Sequence, residues 1–118
     1  MVRFKFEELN VYQKALNFCS RIYSVSARFP RGELFGATSQ LRRATLSVPL
    51  NIAEGSGRDS NAEQRRFYIM ARGSMFECIP IIEMALRQNW LNLKEAESLR
   101  EDCAEPGRMI NGLITSLT

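Results

Sequence analysis

Histidine is missing from this chain of 118 residues, and its absence excludes several kinds of chemistry. Histidine is the usual general base near neutral pH and a common ligand of transition metals. Without it, the familiar pairs that activate a serine or cysteine nucleophile cannot be built. The sequence therefore favours a protein that is not an enzyme and that holds neither a metal nor a cofactor.

Cysteine is scarce and widely spaced, at Cys19, Cys78 and Cys103. An odd number of cysteines without a CxxC pair argues against a disulfide framework and against a zinc site. Each cysteine falls within an apolar helical pattern. We therefore predict three reduced side chains that fill the core.

Long apolar runs are also missing, since none approaches the roughly 20 residues that span a bilayer. The segment MVRFKFEELN reaches acidic residues before any apolar stretch of signal-peptide length. We therefore expect a cytoplasmic protein that has no membrane partner. The hydrophobic fraction of 45% and the charged fraction of 25% are typical of a globular chain. At this length we expect one domain over residues 1–118.

Charge is unevenly distributed along the chain, although the net charge is only +3. Residues 1–72 carry 12 Lys and Arg against 6 Asp and Glu, whereas residues 73–118 carry 4 against 7. Arginine outnumbers lysine 13 to 3, and its planar guanidinium group suits bidentate contacts with phosphate or carboxylate. The basic half can therefore meet nucleic acid or the acidic half of another copy, and charge alone does not separate the two.

Apolar periodicity predicts four helices and no strands, arranged as an antiparallel up-down-up-down four-helix bundle of the all-α class. Pro30 and Gly32 end the first helix, and Ser60 with Glu63 matches a capping box at the start of the third. Connections of roughly 3–6 residues favour antiparallel neighbours. The predicted helices cover about 7–28, 33–54, 60–88 and 93–117.

Glycine and proline mark further features of these helices. Gly55 and Gly57 are expected to supply the left-handed conformations that commonly follow a helix end. Pro49, Pro80 and Pro106 fall inside predicted helices, where each removes one backbone hydrogen bond. We expect a local bend at each proline, and Pro106-Gly107 is a candidate break in the last helix.

A stripe of polar side chains runs along the second helix beside its apolar seam. We interpret it mainly as a structural or interface network, in which Asn51 and Glu54 bond neighbouring helices and Arg43 or Arg72 neutralises Glu54. Contact across a subunit boundary is the alternative, and a catalytic Glu54 is disfavoured because no second acid or base accompanies it. The residues of this predicted network are Gln40, Ser47, Asn51, Glu54 and Arg72.

Arginines cluster in the second and third helices and in the turn between them. Neighbouring guanidinium groups on one surface would bind phosphates without regard to sequence. Alternatively these arginines form a solvated face, or pair with acids such as Glu63 and Glu77. Phe67 fits the core, so Tyr68 is the aromatic side chain expected to stack on a base. The candidate nucleic-acid-binding residues are Arg42, Arg43, Arg58, Arg65 and Arg66.

Apolar residues outside the predicted core stripes indicate self-association. They are Val11, Phe18, Val25, Leu46 and Leu50. A helix that is apolar on more than one side is normally buried on both. We therefore expect a homo-oligomer.

Three segments of the chain carry a resemblance to a known family: FEELNVYQKAL, FPRGELFGATSQLRRATLSVPLNIAEGSGR and FYIMARGSMFE. They resemble the bacterial four-helix bundle family, also called the 23S ribosomal RNA intervening-sequence protein family. The resemblance implies a ring-like homopentamer of four-helix bundles, often encoded within insertions in the large-subunit ribosomal RNA gene. A related bundle protein accompanies the reverse transcriptase of diversity-generating retroelements and is thought to bind nucleic acid. The resemblance thus implies an RNA or DNA partner.

Together these features favour a non-enzymatic, oligomeric bundle that binds structured RNA or other nucleic acid through an arginine-rich face. The alternative is an adaptor or scaffold that binds an acidic protein partner and has no affinity for nucleic acid. Steep salt dependence of nucleic-acid binding would distinguish the two.

Overall fold

The computed structural model describes all 118 residues and contains four α-helices, two short 3₁₀ helices and no strand. The four predicted helices are confirmed, and their observed ends lie within four residues of the predicted ends. The α-helices are α1 Asn10–Ser26, α2 Ala37–Ser56, α3 Asn61–Arg87 and α4 Leu93–Ser116, and the 3₁₀ helices span Lys5–Glu8 and Arg31–Glu33.

Contacts between the helices show the antiparallel arrangement. Along α1 and α4, Lys14 pairs with Glu105 and Arg21 with Asp102, so residue numbers rise on one helix as they fall on the other. The same relation holds for α2 and α3. Each helix lies beside two neighbours, while the backbones of the diagonal pairs α1–α3 and α2–α4 do not approach within 8 Å between Cα atoms. The chain is therefore an up-down-up-down four-helix bundle, as predicted.

The core contains 22 buried hydrophobic residues drawn from all four helices and the loops beside them. The three cysteines are buried, as predicted. The prediction that Val11, Phe18 and Val25 lie outside the core is wrong, because all three are buried. Together with Ala15 and Ile22 they recur at steps of four and three, which is itself the period of one helix face.

The starts of α3 and α4 have side-chain caps. Ser60 Oγ accepts a hydrogen bond of 3.1 Å from the Glu63 N–H, although the return bond of a full capping box is missing. The complete capping box lies at the start of α4, where Asn92 and Glu95 each accept a bond from the other's backbone N–H.

Glycine has a different role at the end of α2 from the one predicted. The helix continues through Gly55 to Ser56, and Gly57 adopts a right-handed conformation with φ −92°. No glycine in the chain has a positive φ, so the expected left-handed cap is absent. Asn89, in the turn after α3, is the one residue with a positive φ, at 64°.

The three internal prolines do not interrupt their helices. Pro49 lies inside α2, Pro80 inside α3 and Pro106 inside α4. The α4 helix runs continuously past Pro106-Gly107, so the candidate break does not occur. Tertiary packing compensates for the missing bond at two of these sites, since Pro49 and Pro106 are buried. None of the helices combines the length and the hydropathy that crossing a membrane requires.

Candidate nucleic-acid interface

Much of the charge asymmetry is satisfied between α1 and α4. Lys14 Nζ lies 2.9 Å from Glu105 Oε1, and Arg28 pairs with Glu95. Between them, Arg21 donates hydrogen bonds to Ser98 Oγ at 2.9 Å and to Asp102 Oδ2 at 2.5 Å. Sequence reasoning missed these pairs, although Lys14, Arg21 and Arg28 recur every seven residues and hence lie on one helix face. The basic residues of α1 are therefore neutralised within the chain.

Arg42 packs between α1 and α2. Its Nε donates to Ser26 Oγ at 2.9 Å, and its terminal nitrogen donates to the Tyr23 carbonyl at 3.1 Å. Its guanidinium carbon lies 4.8 Å from the centroid of the Tyr23 ring. These contacts fix the guanidinium group without neutralising it, because neither partner is a carboxylate.

Arg58 and Arg66 meet around one aromatic ring at the turn between α2 and α3. Their guanidinium carbons lie 4.6 Å and 5.0 Å from the centroid of the Phe67 ring. Each is also near a carboxylate, with Arg58 3.7 Å from Glu54 and Arg66 3.5 Å from Glu63. The structure thus brings together two of the predicted arginines, in a partly neutralised cluster.

Arg65 and Arg43 lie apart from that cluster. Arg65 is half-buried, and its Nε has no hydrogen-bond partner. Arg43 is exposed on α2, about four helical turns and roughly 22 Å before Arg58. The five candidate arginines therefore do not form one continuous face.

Arg43 lines two neighbouring grooves near the start of α2. The larger, which we call the α2–α3 groove, has a volume of about 550 Å³ and includes Ser39, Gln40, Ser47, Ser74 and Glu77 among its lining residues. The smaller, which we call the α1–α2 groove, has a volume of about 340 Å³ and is also lined by Tyr23 and Arg42. Phe35, Ser39 and Arg43 line both grooves. No carboxylate pairs with Arg43.

The polar stripe on α2 forms a network that is smaller than predicted. Asn51 Nδ2 donates to the Ser47 carbonyl at 2.9 Å and to Ser47 Oγ at 3.0 Å, and Ser47 Oγ lies 2.9 Å from Ser74 Oγ of α3. This network therefore joins α2 to α3 and includes Ser74, whose role the sequence did not indicate.

Two other members of the predicted network have different partners. Glu54 is exposed and lies near Arg58, so the prediction that it bonds a neighbouring helix and is neutralised by Arg43 or Arg72 is wrong. Arg72 instead donates to Asn111 Oδ1 of α4 at 3.0 Å. The physical reason is position: Glu54 lies one turn beyond Asn51 on the solvent side of α2.

Tyr68 does not serve as an exposed aromatic surface, because only 4% of it is exposed. Burial raises the pKa of its hydroxyl above the ordinary value. The prediction that Tyr68 stacks on a base is therefore wrong. The strongly exposed aromatic side chain near the arginines is Phe35, at 93%, which helical periodicity could not identify because it lies in the loop before α2.

The outward surface of α2 and α3 carries exposed apolar side chains, and we call it the outer α2–α3 face. Gly73 lies in its α3 portion, and a Cβ atom at that position would meet nothing within 4 Å. Leu46 and Leu50, which the sequence placed outside the core stripes, are exposed, as predicted. The large apolar residues of this face are Leu46, Leu50, Met70 and Met84, whereas the exposed Phe76 of α3 lines a groove between α3 and α4.

No group of three or more Cys, Asp or Glu side chains is arranged to hold a metal ion. Burial raises the pKa of Cys78 to about 12 and that of Cys103 to about 11. These thiols are therefore protonated at neutral pH, unlike the thiolates that bind metals or act as nucleophiles.

Comparisons with known proteins agree with this fold. The chain is similar to the crystal structure of a protein of unknown function from the S23 ribosomal protein family of Bacteroides thetaiotaomicron VPI-5482, with 23% sequence identity and a TM-score of 0.82. The similarity covers 88% of this chain and 97% of that one. No curated protein matches the chain. A family model described as 23S rRNA-intervening sequence protein matches residues 7–112, and the chain belongs to that family.

Proposed function

We propose that this protein is a non-enzymatic, cytoplasmic homo-oligomer that binds structured RNA or other nucleic acid through arginines of α2 and α3. The observation that carries the proposal is that the basic residues differ in whether they pair with a carboxylate. Those of α1 are neutralised by α4, whereas Arg42, Arg43, Arg65 and Arg72 form no ion pair with a carboxylate. Positive charge therefore remains on the α2–α3 side, where it attracts phosphate.

The names of the relatives agree with an RNA-related role. The family name refers to intervening sequences of 23S rRNA, and the similar crystal structure comes from a family named after a ribosomal protein. These names support RNA as the partner. The residues that bind it are assigned from the charges described above.

The outer α2–α3 face supports the oligomeric part of the proposal. Leu46 and Leu50 lie one turn apart on α2 and are exposed there, and covering them against another copy removes apolar surface from water. We propose five copies, the number that the family resemblance implies.

Fluorescence-anisotropy titration tests nucleic-acid binding directly. We expect saturable binding of a labelled structured RNA, and weaker binding at roughly 200 mM salt than at 50 mM, because each phosphate contact releases counterions. Titration with a duplex DNA of matching sequence shows whether the protein distinguishes RNA from DNA. Absence of binding at the lower salt concentration refutes this part of the proposal.

Charge reversal locates the surface that binds. The double variant Arg43→Glu/Arg65→Glu reverses two arginines that have no carboxylate partner, and it should reduce affinity at least tenfold at the lower salt concentration. The variant Arg100→Glu/Arg108→Glu makes the same change in net charge on exposed positions of α4. Equal losses in the two variants would indicate a nonspecific effect of net charge rather than a binding surface.

An adaptor that binds proteins is the second candidate, and the exposed apolar residues of the outer α2–α3 face favour it. Light scattering coupled to size exclusion shows whether this face is covered by another copy or is left free for a different protein. A mass near 13.5 kDa, that of one chain, would refute the oligomer. Leu50→Glu should lower the mass of the assembly. Leu93→Glu is the matched control, because both leucines are 60% exposed and Leu93 lies at the start of α4.

A further inference from the structure

Phe35 is placed where two grooves meet. It lies between α1 and α2 in the chain, and 93% of its surface is exposed. The α2–α3 groove and the α1–α2 groove both include it in their linings, together with Ser39 and Arg43. An apolar ring is therefore presented to solvent beside an arginine that has no carboxylate partner.

The surroundings of Phe35 distinguish it from an isolated apolar side chain on a surface. Arg42 and Tyr23 lie in the smaller groove, while Gln40, Ser47 and Ser74 lie in the larger one. An aromatic ring flanked by guanidinium, hydroxyl and amide groups matches the chemistry of an unpaired nucleotide. Its base stacks on the ring, its phosphate pairs with the cation, and its polar edges accept and donate hydrogen bonds.

We propose that Phe35 is a stacking platform for an unpaired base and that Arg43 binds an adjacent phosphate. This inference rests on the proposed nucleic-acid binding, and it narrows the ligand to unpaired nucleotides, such as those in the loops of a structured RNA. A base inside a duplex already stacks on its neighbours on both sides, so Phe35 cannot reach its face.

Glu77 and Arg43 give the α2–α3 groove one acidic and one basic side chain. Glu77 is the one carboxylate among the residues that line either groove, and it forms no ion pair. A carboxylate repels phosphate but accepts hydrogen bonds from the amino groups of bases. The phosphate is therefore assigned to the side of Arg43, and the edge of the base to the side of Glu77.

The test compares binding of three labelled probes by fluorescence anisotropy: an unstructured RNA of roughly 12 nucleotides, the DNA of the same sequence, and the corresponding duplex. Phe35→Ala should weaken binding of the single strands about tenfold and leave duplex binding unchanged. Arg43→Gln should weaken single-strand binding and reduce its dependence on salt. The RNA and DNA arms show whether the ribose hydroxyl contributes.

Both variants have matched controls and should fold normally, since Phe35 and Arg43 are exposed. Phe4→Ala removes another exposed phenylalanine, and Arg108→Gln removes an exposed arginine of α4 that has no ion-pair partner. Neither control should change affinity. A probe with 2-aminopurine at one position should lose fluorescence on binding to the wild-type protein and not on binding to Phe35→Ala, because stacking quenches the analogue.

Three results would overturn the inference in distinguishable ways. If the wild-type protein binds the structured RNA but none of these three probes, the inference fails and the proposed function stands, whereas absence of binding to all four probes refutes both. If the wild-type protein binds and Phe35→Ala binds equally well, the proposed function stands and the stacking role is wrong. If Phe35→Ala instead lowers the mass of the assembly, Phe35 is a contact between copies and not a platform for a base.

Discussion

Gly55 of α2 lies so close to Tyr68 of α3 that a Cβ atom at position 55 would be 2.9 Å from the Cε1 atom of the tyrosine ring. That added Cβ atom would also lie 2.9 Å from the Cβ atom of Phe67. Glycine costs about 1 kcal/mol relative to alanine inside a helix, so its presence before the end of α2 needs a compensating contact. The close approach of α3 supplies it and allows Tyr68 to be buried.

Gly55→Ala should therefore destabilise the protein, although alanine is the better helix former. The added methyl group meets a Cβ atom that is tied to the backbone of α3, so the helices must move apart. Overpacking of this kind costs about 1–3 kcal/mol. Urea denaturation followed by circular dichroism measures the loss. A stability equal to that of the wild-type protein would show that the helices adjust without cost.

Gly107→Ala is the matched control in α4. A Cβ atom there meets nothing within 4 Å, so the substitution should stabilise the protein by about 0.5–1 kcal/mol through helix propensity alone. Opposite signs for the two glycines would separate close packing from propensity. Destabilisation by Gly107→Ala would indicate a contact that lies outside the single chain.

Sequence patterns predicted the four helices because each carries a long apolar period and begins or ends at Gly, Pro or a capping residue. The pattern was ambiguous in α1, where two interleaved stripes compete. Val11, Phe18 and Val25, which the sequence placed outside the core, are buried, whereas Leu9 and Leu16 are only partly buried. Which of two apolar stripes faces the core depends on the neighbouring helices, and these are not visible in a local window.

The candidate site was harder to predict than the fold. A list of arginines does not reveal which have partners, and the pairs of α1 with α4 depend on how the helices pack. Phe35 was missed because a loop has no period from which to infer exposure. Glu54 was assigned to a network by its phase, but it lies beyond the point where that stripe faces α3.

The exposed position of Glu54 gives a second prediction. Glu54→Ala should change the free energy of unfolding by no more than about 0.5 kcal/mol, since the pair with Arg58 is exposed to solvent. Ser47→Ala removes the bonds that Ser47 makes with Asn51 and Ser74, and it should cost about 1 kcal/mol. Thermal melts of both variants measure the contrast. A larger loss for Glu54→Ala, with dissociation of the assembly, would place Glu54 in an interface between copies.

The cysteines give a third prediction. Burial raises the pKa of all three thiols, to about 12 for Cys78 and about 11 for Cys103, so little thiolate is available at neutral pH. Ellman's reagent should detect no rapidly reacting thiol in the folded protein and three thiols after denaturation in guanidinium chloride. A thiol that reacts on mixing would show that one of the helices opens readily.

The pH dependence of stability should reveal the role of Glu95. The Asn92 N–H bond and then the Arg28 guanidinium group hold the pKa of Glu95 below its ordinary value of about 4.3. Because the unfolded chain takes up the proton first as pH falls, the contribution of Glu95 is present above about pH 4.3 and is lost as pH falls through the lower, folded pKa. Glu95→Gln should therefore lower the melting temperature at pH 7, and the difference from wild type should shrink in acid. Glu97→Gln, an exposed change on the same helix, should show little effect at either pH. If the melting temperatures of wild type and Glu95→Gln differ by the same amount at every pH, the carboxylate charge does not stabilise the start of α4.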